Sequence, residues 1–411
     1  MSLNETHDPE LRSWVEPANA PDTDFPIQNL PFCMFRHKHA AARVGVAIGD
    51  SILDVPEYQS LNQLMEDGRA AAAELRLRLS RVLRADNRYP PRDLLYPIEQ
   101  CALMLPAAIG DYTDFYASIF HATNVGSMFR PDNPLLPNYK YVPIGYHGRA
   151  SSVVVGGTPI HRPCGQLQSG DAPPVFAPAR QMDYECELGW FVARGNQLGV
   201  PIPIAQVEDH LFGVCLLNDW SARDIQRWEY QPLGPFLAKS FAASISPWIV
   251  TFDALEPFRV ARFERPAGDP APLEYLDSEN DRERGGIGLT LEVWFSSSMM
   301  RDANIEPVRL SRAGFEQMYW TVGQMSTHHA SNGCNLRPGD LLASGTVSGP
   351  RKDARGCLLE LTWRGTEPLE LPTGESRKFL EAGDEVILRG YAERDGFRRI
   401  GLGECRGTLR D

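Results

Sequence analysis

From Arg43 to Val55 the chain reads ValGlyValAlaIle, then a GlyAsp pair, then SerIleLeuAspVal, and these two short runs predict a β-hairpin turning at Gly49 and Asp50. Between Gln59 and Arg84 the apolar positions Leu61, Leu64, Met65, Ala72, Leu75, Leu79, Val82 and Leu83 recur at helical spacing among charged residues, which predicts an amphipathic helical region. The Pro-rich stretch from Tyr89 to Pro97 breaks that periodicity and puts a domain boundary near residue 106. Residues 1–25, rich in Asp, Glu, Asn and Pro, are expected to form an extended lead-in.

Beyond the boundary, strand-like runs separated by Gly and Pro turns dominate: Ser152 to Val155, Met182 to Val192, Phe212 to Leu217, Gly288 to Phe295, Gly356 to Trp363 and Glu385 to Tyr391. Helical patterns are sparse, the clearest being Tyr116 to Phe129, Ser221 to Tyr230 and Arg312 to His328. With few helices to cross over between parallel strands, the pattern predicts a mostly antiparallel sandwich, roll or barrel. The stretch 263–286, rich in charge, Pro and Gly, reads as a surface insertion.

At 411 residues the chain is long enough for two or three domains and a substantial core. With 43% hydrophobic and 23% charged residues it lies near the soluble globular average, far from disordered or fibrous compositions. The formal charge of -12 argues against a nucleic-acid partner, since that affinity grows with Lys and Arg contacts to phosphate. No run of about 18 apolar residues appears, so no membrane partner is expected, and the opening residues lack a secretory pattern. An intracellular, cytoplasmic location follows as an expectation. The eight cysteines include no CxxC pair, which suggests reduced thiols rather than a zinc ribbon or disulfide framework.

Candidate chemistry begins in GlnMetAspTyrGluCysGluLeu. Strand alternation there puts Met182, Tyr184, Cys186 and Leu188 on one face and Asp183, Glu185 and Glu187 on the other. Positions two apart in a strand are separated by about 6.6 to 6.8 Å, so Glu185 and Glu187 can converge on one cation, although a solvated edge strand carries the same pattern. Asp219 ends the next apolar run; it or Ser221 fits equally as the N-cap of the following helix. On that helix Arg223, Gln226 and Tyr230, spaced i, i+3, i+7, share a face suited either to an oxygen-rich ligand or to a structural hydrogen-bond network. Asp114 and His121, seven apart, share a face if their segment is helical, and an imidazole is the side chain best suited to proton transfer near neutral pH. His328 and His329 are adjacent and diverge by about 100° in a helix, so they read as structural.

The segments DYTDFYASIFHATNVGSMFR from Asp111, GYHGRASSVVV from Gly145, NDWSARDIQRWEYQPLGPF from Asn218, KSFAASISPW from Lys239 and NGCNLRPGDLLASGT from Asn332 resemble the fumarylacetoacetate hydrolase family. The likeness extends over nearly the whole chain. It implies hydrolysis of 4-fumarylacetoacetate to fumarate and acetoacetate, the last step of tyrosine and phenylalanine degradation. It also implies a mainly β fold with some α: a small SH3-like N-terminal barrel over residues 26–106 and a larger mixed β-sandwich or β-roll catalytic domain over residues 107–411, assembled as a homodimer. By the resemblance, Asp114, Glu185, Glu187 and Asp219 are the metal ligands, His121 the general base and Glu360 its orienting carboxylate. Arg223, Gln226 and Lys239 form a polar wall over the reacting centre, and Tyr116, Arg130, Tyr146, Tyr230 and Thr346, with Gln226, hold substrate. One departure stands out: Ala242 and Ala243 occupy positions where the family is expected to have Gly and Thr, which removes a threonine contact near the metal.

A donor set of carboxylates alone suits a hard divalent cation, Ca²⁺ or Mg²⁺. Arg223 and Lys239 would balance the excess negative charge and attract a dianionic diketo-acid substrate despite the chain's net charge, because screening over about 8 Å hides distant groups. Arg130, with its planar fork, is a natural partner for a carboxylate. Keto-acid hydratases and decarboxylases of the same superfold are the nearest alternative, and a non-catalytic calcium-binding β-sandwich is an alternative of another class. The HATNVG and WSARDIQRWEY segments disfavour the first; His121 with Glu360 disfavours the second.

Overall fold

The computed structural model describes residues 3–411. The fold is mainly β with some α, and three sheets carry it. The first is a five-stranded antiparallel sheet of SH3-like arrangement in the order Leu95–Pro97, Ser51–Asp54, Arg43–Ile48, Phe32–His37, Cys101–Leu103. The expected hairpin is present: Arg43–Ile48 and Ser51–Asp54 pair through a tight turn at Gly49, whose φ of 60° lies in the left-handed region. The helical region between Gln59 and Arg84 is two helices, Leu61–Asp67 and Arg69–Leu83. They break at Gly68, with φ 92°, where the main chain leaves helical geometry.

The second sheet holds the site. Its order is Gly145–Gly148, Tyr112–Phe115, Leu341–Ala343, Cys186–Val192, Leu211–Asp219, Ala243–Ile245, Val153–Val155. Two of its pairings are parallel, Leu341–Ala343 with Tyr112–Phe115 and Ala243–Ile245 with Val153–Val155; the rest of this path is antiparallel. The third sheet has five strands in the order Val308–Gly314, Thr290–Ser296, Glu385–Ala392, Ile400–Arg410, Ile160–His161.

Strand alternation divides the core. Leu188, Trp190, Val214 and Leu216 belong to one buried cluster with Leu291, Val386, Leu388 and Leu402 of the third sheet. Phe191, Cys215 and Leu217, one position out of phase, belong to another with Phe32, Val46, Leu61 and Leu64 of the first sheet and the helix that follows it, and Phe212 joins them at the register shift beside Phe191. The second sheet is thus covered on both faces, which is why its two central strands, Cys186–Val192 and Leu211–Asp219, are buried throughout.

Four segments differ from the sequence expectation. Gly356 to Trp363, expected as a strand, forms the short helix Leu358–Leu361. A four-residue apolar run fits either form, and here the first two helical N–H groups find the Asp183 carboxylate. Arg312 to His328 is not one helix: it comprises the end of strand Val308–Gly314, a 3₁₀ turn Phe315–Gln317 and helix Val322–Ala330, which begins at a Thr321/Gln324 capping box. Tyr116 to Phe129 is helical only from Ile119, N-capped by Ser118, so Asp114 lies on a strand instead of sharing a helical face with His121. Met182 to Val192 is interrupted at Tyr184 and Glu185, with Met182–Asp183 pairing to Ser221–Ala222. Stretch 263–286 runs mostly along the surface, as expected, and is anchored by buried Leu276 and by Asp281, which accepts a hydrogen bond from Thr321 at 2.6 Å.

Candidate active site

The strand ends of the second sheet bring four carboxylates together. Asp114 closes on Ala343 across a parallel pair, Glu187 lies opposite Leu217, and Asp219 ends its strand opposite Ala243. Glu185 sits at the strand interruption, its N–H accepted by the Asn218 side chain at 3.2 Å. Asp114, Glu185, Glu187 and Asp219 are all buried, and each offers a carboxylate oxygen within 4.8 Å of the others. Asp219 is no helix cap: the helix Arg223–Glu229 has Ala222 at its N-cap position without a side-chain bond.

Cationic groups lie against one side of this cluster. Lys239 Nζ donates to Glu185 Oε2 and to Asp219 Oδ2, each at 2.6 Å. Arg223 Nη1 stands 2.7 Å from Glu185 Oε1 and 3.1 Å from Gln226 Oε1. Tyr146 donates its hydroxyl to Asp219 at 3.0 Å, and the Gly345 N–H is shared by Asp114 at 3.1 Å and Glu187 at 3.2 Å. Gly345 has φ 72°, and a Cβ there would meet the Phe115 carbonyl oxygen at 2.2 Å, so this close approach requires glycine.

The electrostatics split the four acids. Burial, then the Asp219 charge and Glu185, push Asp114 up to about 8, and burial with Asp114, Glu185 and Asp219 raises Glu187 well above the usual carboxylate range. Asp219 is also raised, chiefly by burial, against the opposing pull of Lys239. Glu185 goes the other way: burial opposes its ionisation, but Lys239 and Arg223 outweigh it and hold the group below its ordinary value. Glu187 Oε1 has no hydrogen-bond partner among the described residues. Four buried oxygen ligands, three of them with ionisation disfavoured first by burial and then by one another's charge, and one oxygen unpartnered, fit a hard divalent cation, which would relieve the repulsion.

A second group adjoins the first. His121, on helix Ile119–Phe129, stands with Nδ1 2.6 Å from Glu360 Oε2. Its charge, when protonated, reaches Glu185 strongly enough to stabilise that carboxylate. Glu360 is fully buried and also accepts from Ser348 Oγ at 2.8 Å, Cys357 Sγ at 3.3 Å and Asn124 Nδ2 at 2.8 Å. Burial opposes its charge, yet His121 and the other donors hold it below the usual range, so Nδ1 carries the proton and donates it to the carboxylate. Tyr116 packs edge-on against the imidazole, with ring centroids 5.3 Å apart.

The remaining expected residues are distributed unevenly. Thr346 is buried beside Gly345 with its hydroxyl unpartnered among the described residues. Tyr230 is 37% exposed at the end of its helix, and Arg130 is exposed at the end of helix Ile119–Phe129, where it donates to the Pro134 carbonyl at 3.2 Å. Neither makes a hydrogen bond to the acid cluster or to the His121 pair. Ala242 and Ala243 are both buried, and Ala243 lines a cavity of about 190 Å³ together with Tyr112, Tyr146, Arg149, Phe236 and Lys239. His329 Nε2 lies 2.8 Å from Thr113 Oγ1 and His328 Nδ1 2.8 Å from the Tyr275 hydroxyl, both outside the site. Sequence reading missed Asn124, Ser348 and Cys357. Only Asn124 carried a signal, one helical turn after His121.

Comparison with known proteins shows the family. The family profile described as fumarylacetoacetate (FAA) hydrolase, C-terminal, matches residues 112–410, and that described as fumarylacetoacetase, N-terminal, matches residues 28–60. The fumarylacetoacetase of Bos taurus is 48% identical over 417 residues, covering 95% of this chain and 97% of its own. That of Homo sapiens is 47% identical with the same coverage, and that of Arabidopsis thaliana 44% identical over 97% of this chain and 98% of its own. Among solved structures, the fumarylacetoacetate hydrolase of psychrophilic Exiguobacterium antarcticum superposes with a TM-score of 0.53 over 93% of this chain and 99% of that one, at 17% identity, a likeness of fold alone. A match this long, joined to a carboxylate cluster and a buried imidazole–carboxylate pair, makes the chain a member of the fumarylacetoacetate hydrolase family.

Proposed function

We propose that this chain hydrolyses the carbon–carbon bond of 4-fumarylacetoacetate to fumarate and acetoacetate, the closing reaction of tyrosine and phenylalanine degradation. The observation that carries the reading is the 2.6 Å contact between His121 and Glu360 beside the buried carboxylate cluster. Relatives named fumarylacetoacetase, 43–48% identical over nearly the full length, support the same substrate.

Cleaving a bond between a carbonyl carbon and its neighbour needs an activated water, a stabilised alkoxide and a stabilised enolate leaving group. With Nδ1–H committed to Glu360, the free Nε2 of His121 is the basic nitrogen, and it takes the proton from the attacking water. Glu360 fixes the tautomer and ring orientation and balances the imidazolium that forms. Arg223 Nη2 is buried and has no partner among the described residues, so a donor is available to the developing oxyanion without breaking an existing bond. Gln226 and Lys239 stand beside it, and donors in this role contribute about 3–4 kcal/mol each. Imidazolium then returns the proton to the enolate carbon as acetoacetate leaves. Asp114, Glu185, Glu187 and Asp219 would hold a divalent cation, Ca²⁺ or Mg²⁺, which when bound supplies Lewis-acid stabilisation of the diketone oxygens. Tyr116, Arg130, Tyr146, Tyr230 and Thr346 complete the reading as substrate contacts, Arg130 and Tyr230 at the rim.

Mixing the purified protein with fumarylacetoacetate and following loss of the diketone's ultraviolet absorbance tests this directly. Turnover that stops in a chelator and returns with Ca²⁺ or Mg²⁺ is expected; no turnover in either cation would overturn the reading. Cation uptake should release at least one proton at pH 7, because burial and the Asp219 charge raise Asp114 to about 8 in the cation-free site. Calorimetry in buffers of different ionisation enthalpy measures the number. Asp114 binds its proton more tightly in the folded chain than in the unfolded one, its value moving from 3.8 to about 8. Stability of the cation-free protein should therefore fall as pH rises through that window, and saturating cation should abolish the slope.

The division into an N-terminal unit over residues 26–106 and a catalytic domain over residues 107–411 belongs to the same reading, as do a cytoplasmic location and a homodimer. The dimer is supported by large apolar side chains left exposed, Leu233, Phe236 and Phe176. Light scattering should give twice the 45.8 kDa chain mass. Among the described residues no helix is long and apolar enough to cross a membrane.

A further inference from the structure

Asp183 lies two positions before Glu185 and is fully buried, yet it stands outside the four-carboxylate group. Its Oδ1 accepts the N–H groups of Tyr184 and Leu358, each at 2.8 Å. Its Oδ2 accepts the Leu359 N–H at 3.0 Å and Arg223 Nε at 2.8 Å. These four donors come from three segments of chain: the residue that follows Asp183 at the strand interruption, the first turn of helix Leu358–Leu361, and the first residue of helix Arg223–Glu229.

Both distant segments end in the reaction machinery. Leu358 and Leu359 open the helix whose third residue is Glu360, and the residue at its N-cap position, Cys357, makes no side-chain cap bond. Asp183 therefore supplies from another strand the acceptor that this helix lacks. Arg223 is held by Asp183 at Nε and by Glu185 at Nη1, which leaves Nη2 as its unpartnered arm. We propose that Asp183 is a positioning residue for the reaction: one carboxylate sets where the His121–Glu360 pair stands relative to the Arg223 guanidinium, and so relates proton transfer to oxyanion stabilisation.

The chemistry favours this over simple packing. A buried ion pair contributes little net stability over apolar residues of the same volume, so packing alone gives no reason for a carboxylate here. An apolar pair could not orient the remaining arm of a guanidinium or cap a helix from outside. A displacement of about 1 Å of reacting groups is enough to lower a rate roughly 100-fold.

The inference rests on the function proposed above, and Asp183→Asn separates the two. Wild-type turnover of fumarylacetoacetate is measured first, since its absence would overturn the functional reading and leave Asp183 to the spectroscopic arm below. The amide keeps the shape of the carboxylate but turns a donor toward at least one of the four donors. D183N should lower kcat about 100-fold with KM and Ca²⁺ affinity by calorimetry nearly unchanged. In a Glu360→Gln background the same change should cost little further, because the pair it positions is already disabled; an equal loss in both backgrounds would reduce Asp183 to a structural role. Independently of turnover, the low-field proton resonance expected of His121 Nδ1–H should shift or vanish in D183N, and an unmoved resonance with unchanged kcat overturns the proposal. Should D183N not fold, replacing the Leu359 amide by an ester through a hydroxy-acid analogue removes a single donor to Asp183. It should still shift the resonance and lower kcat, and no change in either would sink the idea.

Discussion

Replacing His121 with alanine is expected to lower kcat for fumarylacetoacetate by roughly 10³- to 10⁴-fold, the upper part of what a positioned general base contributes. The fold should survive. Removing the imidazole takes one donor from Glu360, but Asn124, Ser348 and Cys357 still donate to it, so its buried charge keeps three partners. The four carboxylates are untouched, and Ca²⁺ titration should therefore give close to the wild-type affinity and stoichiometry. Circular dichroism, calorimetry and the absorbance assay together check the outcome. Full activity in the variant would remove His121 from the mechanism, while loss of cation binding along with activity would mean that the two groups are not separable.

The complementary expectation concerns Asp219→Ala. This carboxylate accepts from Lys239 and from Tyr146 while standing within the four-acid group. Its removal takes away a ligand oxygen, and Ca²⁺ affinity should weaken by at least about 100-fold, the upper range seen even for groups that only support a ligand. Lys239 retains Glu185 as a partner, so no buried cation is left alone. Crowding among the remaining acids is also reduced, and Asp114, whose proton affinity Asp219 helps to raise, should titrate closer to its ordinary value. Calorimetric titration distinguishes this from a folding defect, and unchanged affinity would show the ligand set to be wrongly drawn.

The parts of this arrangement that follow local periodicity were legible in the sequence. Alternation about Glu185 and Glu187, the hairpin at Gly49 and the helix carrying Arg223 and Gln226 each depend on residues close in the chain. The order of strands did not, because the pairing of Leu341–Ala343 with Tyr112–Phe115 joins segments more than 200 positions apart. Glu360 was found only by resemblance, and its neighbourhood was expected as a strand; helix Leu358–Leu361 forms because a remote carboxylate caps it. Asp183 was visible as one of three alternating acids, but spacing could not separate it from Glu185. What divides them is the direction of bonding: Asp183 turns to backbone N–H groups and Arg223 Nε, Glu185 to Lys239 and Arg223 Nη1. Ser348 and Cys357 carried no signal, since a single hydroxyl or thiol has no periodicity to betray it.

Phe191 and Leu217 lie on the same strand faces as Glu187 and Asp219, farther along those strands, and share their cluster with Phe32, Val46 and Leu61. The residues around Phe32 and Leu61 therefore close off the acid-bearing face of the sheet beyond the site, and the strands reach the acids from a buried footing. A lesion such as Leu61→Ala, far from any reacting atom, would leave each surviving molecule fully competent yet thin their number, because removing a buried leucine side chain costs about 2–5 kcal/mol in a protein of marginal stability. Harmful substitutions in the first hundred residues should accordingly present as scarcity of enzyme, correctable by lower temperature or a bound ligand, and those around His121 as abundant protein that does nothing.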